Sequence, residues 1–269
     1  VRENLIVVKY GGNAMTNIEK KKEFLKDIAK LTKSGKKLII VHGGGPEINN
    51  MLKKIGKESY FIQGNRVSDK EIVEIAEMVL AGKVNKGIVG ELNNLGIKAV
   101  GLSGKDAGLI KAQKKYLNID GNNIDVGFVG KITKINGNIL KLLLGNGYLP
   151  VISTIGLDDN GNTYNINADY VAGEIAGKLK AEKLLFFTDV DGIYTNFEDK
   201  NTLINEIEKN EILKLIDSGN INGGMLPKVN ACLETLDKGV SEVVILNGEI
   251  ESIIDKYFSN EKVGTTIKG

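Results

Sequence analysis

The stretch "LIVVKYGGNAM" (residues 5–15) opens with four apolar residues, continues with a lysine and closes on a turn begun by paired glycines. So short an unbroken apolar run reads as a strand buried on both faces. The glycines mark the turn that leaves it. A helical pattern follows over about Ile18–Lys33, with Phe24, Leu25, Ile28 and Leu31 on one face. Thr16 and Glu19 have the spacing of a capping box, and Gly35 stands where that helix should stop. The unit then repeats: "LIIVHGGGPEIN" (residues 38–49) gives a strand, a glycine turn and a helix with Ile48, Met51, Leu52 and Ile55 inward. Apolar runs at 99–102, 149–152, 184–187 and 243–246 continue the alternation. Strands alternating with helices predict an α/β fold with a mainly parallel sheet covered on both sides. Residues 111–135 break the rhythm, and Gly127, Gly130 and the Asn136-Gly137 pair predict a small antiparallel excursion.

The 269 residues suffice for one large domain or two closely joined lobes. With 36 basic and 34 acidic side chains, the charge is too balanced to suggest nucleic acid or a membrane as partner. The run of lysines 20–22 is bracketed by Glu19 and Glu23 and reads as a solvated helix face. A single cysteine, Cys232, excludes an internal disulfide framework and fits a reducing, cytoplasmic setting; its apolar neighbours make it a packed thiol. No apolar run approaches the roughly 18 residues of a membrane span.

Two glycine turns at the ends of successive parallel strands form a plausible anion cradle, because glycine lets backbone amides approach a ligand and a helix start adds favourable dipole. Neither turn matches the Walker or the dinucleotide fingerprint, so a nucleotide site here requires another architecture. "GNINGGMLPKVNACLETL" (residues 219–236) predicts a helix with Met225, Val229, Cys232 and Leu236 along one stripe and Lys228 in its early turns. A lysine there opposes the helix dipole unless an anion is shared between them. "FTDVDGIY" (residues 187–194) ends a strand with a turn that could border a base and ribose, or be acidic punctuation. "NINADYVAGEIAGKL" (residues 165–179) places Asn165 and Asp169 four apart; a helix covering both sets them on one face, as caps or as site residues. Arg66 in "FIQGNRVSD" (residues 61–69) can grip a carboxylate bidentately or pair with Asp69.

His42 is the one histidine, and at a strand end it is expected to orient its loop by hydrogen bonding. A chain so poor in bases suits an acceptor that needs none. A carboxylate with a pKa of about 4.3 is already ionised at neutral pH, so its phosphorylation requires charge neutralisation and alignment.

In their order along the chain, "VVKYGGNAM", "VHGGGPEIN", "FIQGNRVSD", "EMVLAGKVNK", "GLSGKDAGLI", "NINADYVAGEIA", "FFTDVDGIY" and "GGMLPKVNACLETL" resemble the N-acetylglutamate kinases of the amino acid kinase superfamily. The resemblance covers nearly the whole chain. It implies a three-layer α/β/α sandwich with an acceptor lobe (residues 1–180) that also dimerises and an ATP lobe (181–269). It implies ATP-dependent phosphorylation of the side-chain carboxylate of N-acetyl-L-glutamate, the second step of arginine biosynthesis, with Mg²⁺ held by ATP phosphates and water and no protein ligand cage. By the same resemblance Lys9, Lys228 and Asp169 are catalytic, Asp169 organising both lysines, while Gly44, Gly45, Arg66 and Asn165 hold the acceptor. Gly11, Gly12, Asp189, Val190, Asp191, Gly192, Ile193, Tyr194, Asn220, Ile221 and Asn222 border ATP. A homodimer insensitive to arginine is also expected. Only four residues precede Leu5, where arginine-inhibited relatives carry a helix, and Lys256 aligns with the carboxylate they offer to arginine. Two alternatives share these residues: a sister kinase for a carrier-linked aminoadipate or glutamate, and a non-catalytic nucleotide sensor.

Overall fold

The computed structural model describes residues 4–12, 15, 17–196, 198–221 and 225–269. The expectations placed on Thr16, Asn222, Gly223 and Gly224 lie outside them. The main sheet has eight strands: β1 Leu5–Tyr10, β2 Lys37–His42, β3 Ala99–Ser103, β4 Leu149–Ser153, β5 Lys183–Thr188, β6 Glu206–Glu208, β7 Glu242–Asn247 and β8 Thr265–Lys268, in the order β6-β8-β7-β5-β1-β2-β4-β3. All neighbours are parallel except β7 and β8. The six apolar runs legible in the sequence are β1, β2, β3, β4, β5 and β7.

Alternation along β1 explains why its apolar run is unbroken. Leu5 and Val7 enter one core, Ile6, Val8 and Tyr10 the other, and all five are at most 1% exposed. One face is covered by helices α5 Asn138–Gly145, α6 Ala168–Leu179, α7 Lys209–Asp217 and α8 Met225–Asp237, through Leu140, Val171, Ile175, Ile212, Val229 and Cys232. The other is covered by α1 Ile18–Lys33, α2 Gly45–Lys54, α3 Lys70–Glu77, α4 Asn85–Asn94 and α9 Ile253–Phe258. Two buried faces per strand make each main-sheet side chain worth about 1.5–3 kcal/mol of apolar transfer. On the second face Phe24 stacks on Tyr10 with centroids 3.9 Å apart and meets Phe187 edge-on at 5.1 Å, which pins α1 across β1 and β5.

Local details depart from the expectations in four places. The cap of α1 is Asn17, whose side chain accepts from the amides of Glu19 and Lys20. Ile55 lies beyond the end of α2 and is 51% exposed, although Ile48 and Leu52 are buried as expected. The antiparallel excursion is a long hairpin, strands Ile110–Ile119 and Asn122–Ile135, turning at Asp120-Gly121. Asn136 and Gly137 instead lead into α5. With strands Ile155–Leu157 and Thr163–Asn165 the hairpin closes into a small barrel. Finally, α6 begins at Ala168 with Asn167 as its cap, so Asn165 belongs to a strand and not to the helix.

Candidate active site

The six strands that run in one direction present their carboxyl ends along one edge of the sheet, where the departing turns build two cavities. The smaller, about 290 Å³, is lined by both glycine turns together with Lys9, Arg66, Asn165 and Asp169. The larger, about 850 Å³, is lined by Asp189, Val190, Ile193, Tyr194, Asn220, Ile221 and Lys228, among others. A crevice of about 20 Å³ joins them; it shares Lys9 and Asp169 with the first and Lys228 with the second. That is room for about one water.

Lys9 stands on the last turn-ward residues of β1, and its ammonium lies 2.9 Å from Asp169 Oδ1. That carboxylate oxygen is buried and accepts no well-directed hydrogen bond among the described residues, so the contact is a charge pairing. Lys9 also reaches the carbonyl oxygen of Phe187 at 3.5 Å. Gly11 makes room for this side chain: a Cβ there would stand 3.2 Å from Lys9 Cε and 3.3 Å from its Nζ. The expectation that Asp169 organises both lysines is corrected. Lys228, four residues into α8, points across to the end of β5, where it donates to Thr188 Oγ1 at 2.6 Å and pairs with Asp189 at 3.0 Å. Asp189 therefore stands nearer to Lys228 than Asp169 does, and that ammonium holds the Asp189 carboxyl below its usual range.

Arg66 is 5% exposed and is not paired with Asp69, which instead caps α3 through the Ile72 amide at 2.8 Å and pairs with Lys57. Its guanidinium donates to Ser59 Oγ at 2.7 Å and to the Gly45 carbonyl at 3.2 Å, and lies 4.6 Å over the Phe61 ring. Among the described residues no carboxylate comes within 4.0 Å of it. Burial lowers its pKa, but a guanidinium remains charged. A buried cation with no anion of its own, facing a cavity, is a receptor for one. The short hairpin Phe61–Ile62 and Asn65–Arg66 that carries it is tied to the barrel by Ser68, whose amide donates to Val126 O and whose carbonyl accepts from Phe128 N.

Asn165 and Asp169 do line one cavity, but the end of a strand and the first turn of α6 bring them there, not one helical face. Gly44 and Gly45 line the same cavity, as do Gly11 and Gly12, which were assigned to the nucleotide side. Among the other nucleotide candidates, Asp191 and Gly192 do not line the larger cavity. Asp191 accepts from Tyr194 Oη at 2.6 Å and Asn247 Nδ2 at 2.7 Å, bonds that lower its pKa and fix the turn. Sequence reasoning missed Thr188, Thr154, Leu80, Thr195 and Met225. Thr154 and Thr188 lie at or just past strand ends on the same edge, the one signal that could have found them.

The pattern of the amino acid kinase family matches residues 4–247. An acetylglutamate kinase from Caldanaerobacter subterraneus subsp. tengcongensis is 47% identical over 263 residues, covering 97% of this chain and 86% of that protein. One from Caldicellulosiruptor saccharolyticus is 47% identical over 265 residues, covering 97% and 89%. The crystal structure of smu.665 from Streptococcus mutans UA159 superposes with a TM-score of 0.77 at 29% identity, covering 98% of both chains.

The two side chains that would ordinarily offer a base or a nucleophile are both buried, although Cys232 forms part of the wall of the joining crevice. Cys232 is 1% exposed, and burial beside Asp169 raises its pKa, which keeps it a thiol. His42 is fully buried, which lowers its pKa from 6.5 to about 4. A depressed imidazole pKa means the folded state stays neutral while the unfolded chain protonates, so this group withdraws stability as pH falls from 6.5 toward 4. In NMR spectra the ring signals of His42 should therefore stay constant from about pH 8 down to about pH 5.5. An inflection near 6.5 would contradict the burial argument.

Proposed function

The chain belongs to the amino acid kinase family, and on that premise we propose that its site transfers the γ-phosphoryl group of ATP to the side-chain carboxylate of N-acetyl-L-glutamate. The products are N-acetyl-L-glutamyl 5-phosphate and ADP, and the reaction is the second step of arginine biosynthesis. The observation that carries this reading is the crevice where Lys9, Asp169 and Lys228 meet between two cavities of different size. The acceptor takes the smaller cavity, with Arg66 on one carboxylate, Asn165 on the amide-bearing end, and the Gly44 and Gly45 amides beside it. ATP takes the larger one, bordered by Asp189, Val190, Ile193, Tyr194, Asn220 and Ile221, with Gly11 and Gly12 reached by its terminal phosphate.

An acceptor carboxylate oxygen attacks Pγ, the bond from Pγ to the bridging oxygen of ADP breaks, and no proton has to move. Lys9 from the acceptor side and Lys228 from the nucleotide side neutralise charge spread over the transferring oxygens. Asp169 and Asp189 each already face an ammonium, at 2.9 and 3.0 Å, so neither is free to head a metal cage. These residues suit Mg²⁺ carried on the phosphates and water, where it would screen the β and γ oxygens.

Every described residue lining the smaller cavity precedes or is Asp169, and every one lining the larger is Asp189 or later. That division supports an acceptor lobe over residues 1–180 and an ATP lobe over 181–269. No described helix is long and apolar enough to cross a membrane. We place the enzyme in the cytoplasm, on its single reduced cysteine.

Purified protein should form ADP when N-acetylglutamate, ATP and Mg²⁺ are present, with glutamate a much poorer acceptor. Acetylation replaces a cation by an amide that the pocket can pair. Equal turnover of the two, or turnover only of a carrier-linked acceptor, would overturn the substrate; no ADP from any acceptor would favour the nucleotide sensor.

Lys9→Ala and Lys228→Ala should each lower kcat by roughly 10²–10³. Arg66→Ala should chiefly raise the acceptor KM, by roughly 10–100-fold, because its grip is alike in ground and transition states. Steady-state kinetics separate the two patterns, and an active Lys228→Ala enzyme with an unchanged KM in Arg66→Ala would refute the assignment.

We also infer a homodimer that arginine does not inhibit. Met78, 64% exposed at the start of the 78–84 stretch that packs on the terminal strand β3, offers an apolar contact for a second copy. Asp255, the carboxylate nearest the aligned Lys256, is already engaged by Lys30, and Lys256 repels a cationic ligand. Light scattering of the full-length protein with arginine titrated into the assay should give a dimer and unchanged rates; an inhibited hexamer would reverse the inference.

A further inference from the structure

His42 is the only histidine of the chain, and the reaction above does not use it. Its ring lies beneath the second glycine turn, with Nδ1 2.8 Å from the Gly43 carbonyl oxygen and Nε2 3.1 Å from Asn85 Nδ2. A carbonyl only accepts and an amide nitrogen only donates. The imidazole is therefore neutral, with its proton on Nδ1 and its lone pair toward Asn85. Asn85 is itself fully buried, and the same amide nitrogen reaches the Val151 carbonyl of β4 at 2.9 Å. Its Oδ1 is buried and accepts no hydrogen bond among the described residues. A buried acceptor left unpaired is costly. Turning the amide over would set that oxygen against the lone pairs of both His42 and Val151, so only one orientation is open to it.

The backbone that presents Asn85 is unusual too. Met78–Val84 is a seven-residue π-helical stretch between α3 and α4, and Asn85 follows it directly. Wide turns of this kind are frequent at functional sites. This one also carries Leu80 against the glycine turn: a Cβ on Gly44 would stand 2.5 Å from Leu80 Cδ2. The turn is thus packed by Leu80 from one side and hydrogen-bonded by His42 from beneath.

The carbonyl of Gly43 and the amide of Gly44 belong to one planar trans peptide unit and point in opposite directions. Whatever holds that carbonyl inward turns that N–H the other way, and Gly44 lines the smaller cavity. We propose that His42, locked in one tautomer by Asn85, is a positioning residue that sets the Gly44 amide against the acceptor. The inference rests on the acceptor reading of the smaller cavity. It adds a group that never touches substrate yet sets acceptor affinity, and it gives the π-helical stretch a purpose.

The test compares His42→Leu, His42→Asn and Asn85→Leu by steady-state kinetics, once the unaltered enzyme has been shown to turn over N-acetylglutamate. His42→Leu and Asn85→Leu should raise the acceptor KM about tenfold, the scale of one lost buried hydrogen bond, with the ATP KM unchanged. His42→Asn, whose amide nitrogen can still donate to Gly43, should restore most of the affinity. A merely structural role would lower kcat in proportion to the folded fraction and leave both KM values alone, and that result overturns the proposal. If the leucine variants do not fold, the unaltered protein still decides. Its single set of histidine ring signals should shift on saturation with N-acetylglutamate alone and not with a non-hydrolysable ATP analogue alone; no shift with the acceptor overturns it. Failure of the unaltered enzyme to use N-acetylglutamate would instead remove the substrate reading, a separate outcome.

Discussion

The pairing of Lys9 with Asp169, 2.9 Å apart at the carboxyl end of β1, is the contact on which the rest of the site depends. β1 lies inside the sheet, between β5 and β2, with its apolar side chains buried in both cores. A lysine at its end is therefore carried by an interior strand packed on both faces. The paired glycines must follow at once, because Gly11 leaves the space in which the lysine chain lies. The partner carboxylate comes from the first turn of α6, a helix packed on the same sheet through Val171 and Ile175. An ion pair so supported costs little further ordering when a phosphate arrives, which is what preorganised electrostatic catalysis requires.

Around that pair the fold gathers positive potential. The amino-terminal ends of α2 and α6 face the smaller cavity, and the first turns of α8 face the larger. Each contributes a favourable dipole for anions. Adding Lys9, Lys228 and Arg66 to such a place would be unfavourable in a protein with nothing to bind. Asp169 and Asp189 relieve two of the three cations, whereas Arg66 is left to a hydroxyl, a carbonyl and an aromatic face. The residual charge suits two polyanionic partners meeting in one crevice, where no group has to abstract a proton.

Much of this was legible in the residues. Six apolar runs fixed the parallel strands, because a strand buried on both faces leaves an unbroken signature that no solvent-facing element shares. Lys9, Arg66, Asp169 and Lys228 stood out as charges at strand ends and helix starts. Asn165 was rightly joined to Asp169 but for the wrong reason: Asn167 captures the helix amide, and local spacing could not tell which of two asparagines would cap. Asp189 was expected near the nucleotide, but not as the partner of Lys228, since that contact spans 39 residues and depends on how α8 docks. The π-helical stretch 78–84 contains Gly82 and two valines but no proline to break the helical pattern, so neither Leu80 nor Asn85 announced itself. His42, expected to hydrogen-bond its own loop, does meet the Gly43 carbonyl, though the Asn85 amide on its other side was invisible.

The central claim is direct transfer of the phosphoryl group between two partners held on opposite sides of the Lys9–Asp169–Lys228 crevice. Its most direct measurement uses ATP made chiral at the γ-phosphorus with oxygen isotopes, and determines the configuration of the phosphoryl group on the acyl phosphate product. A single in-line displacement inverts that centre, and inversion is the result the account predicts. Retention would require two displacements through a phosphorylated side chain, and would contradict a site whose only cysteine, in the crevice wall, is held as a buried thiol and whose only histidine is fully buried.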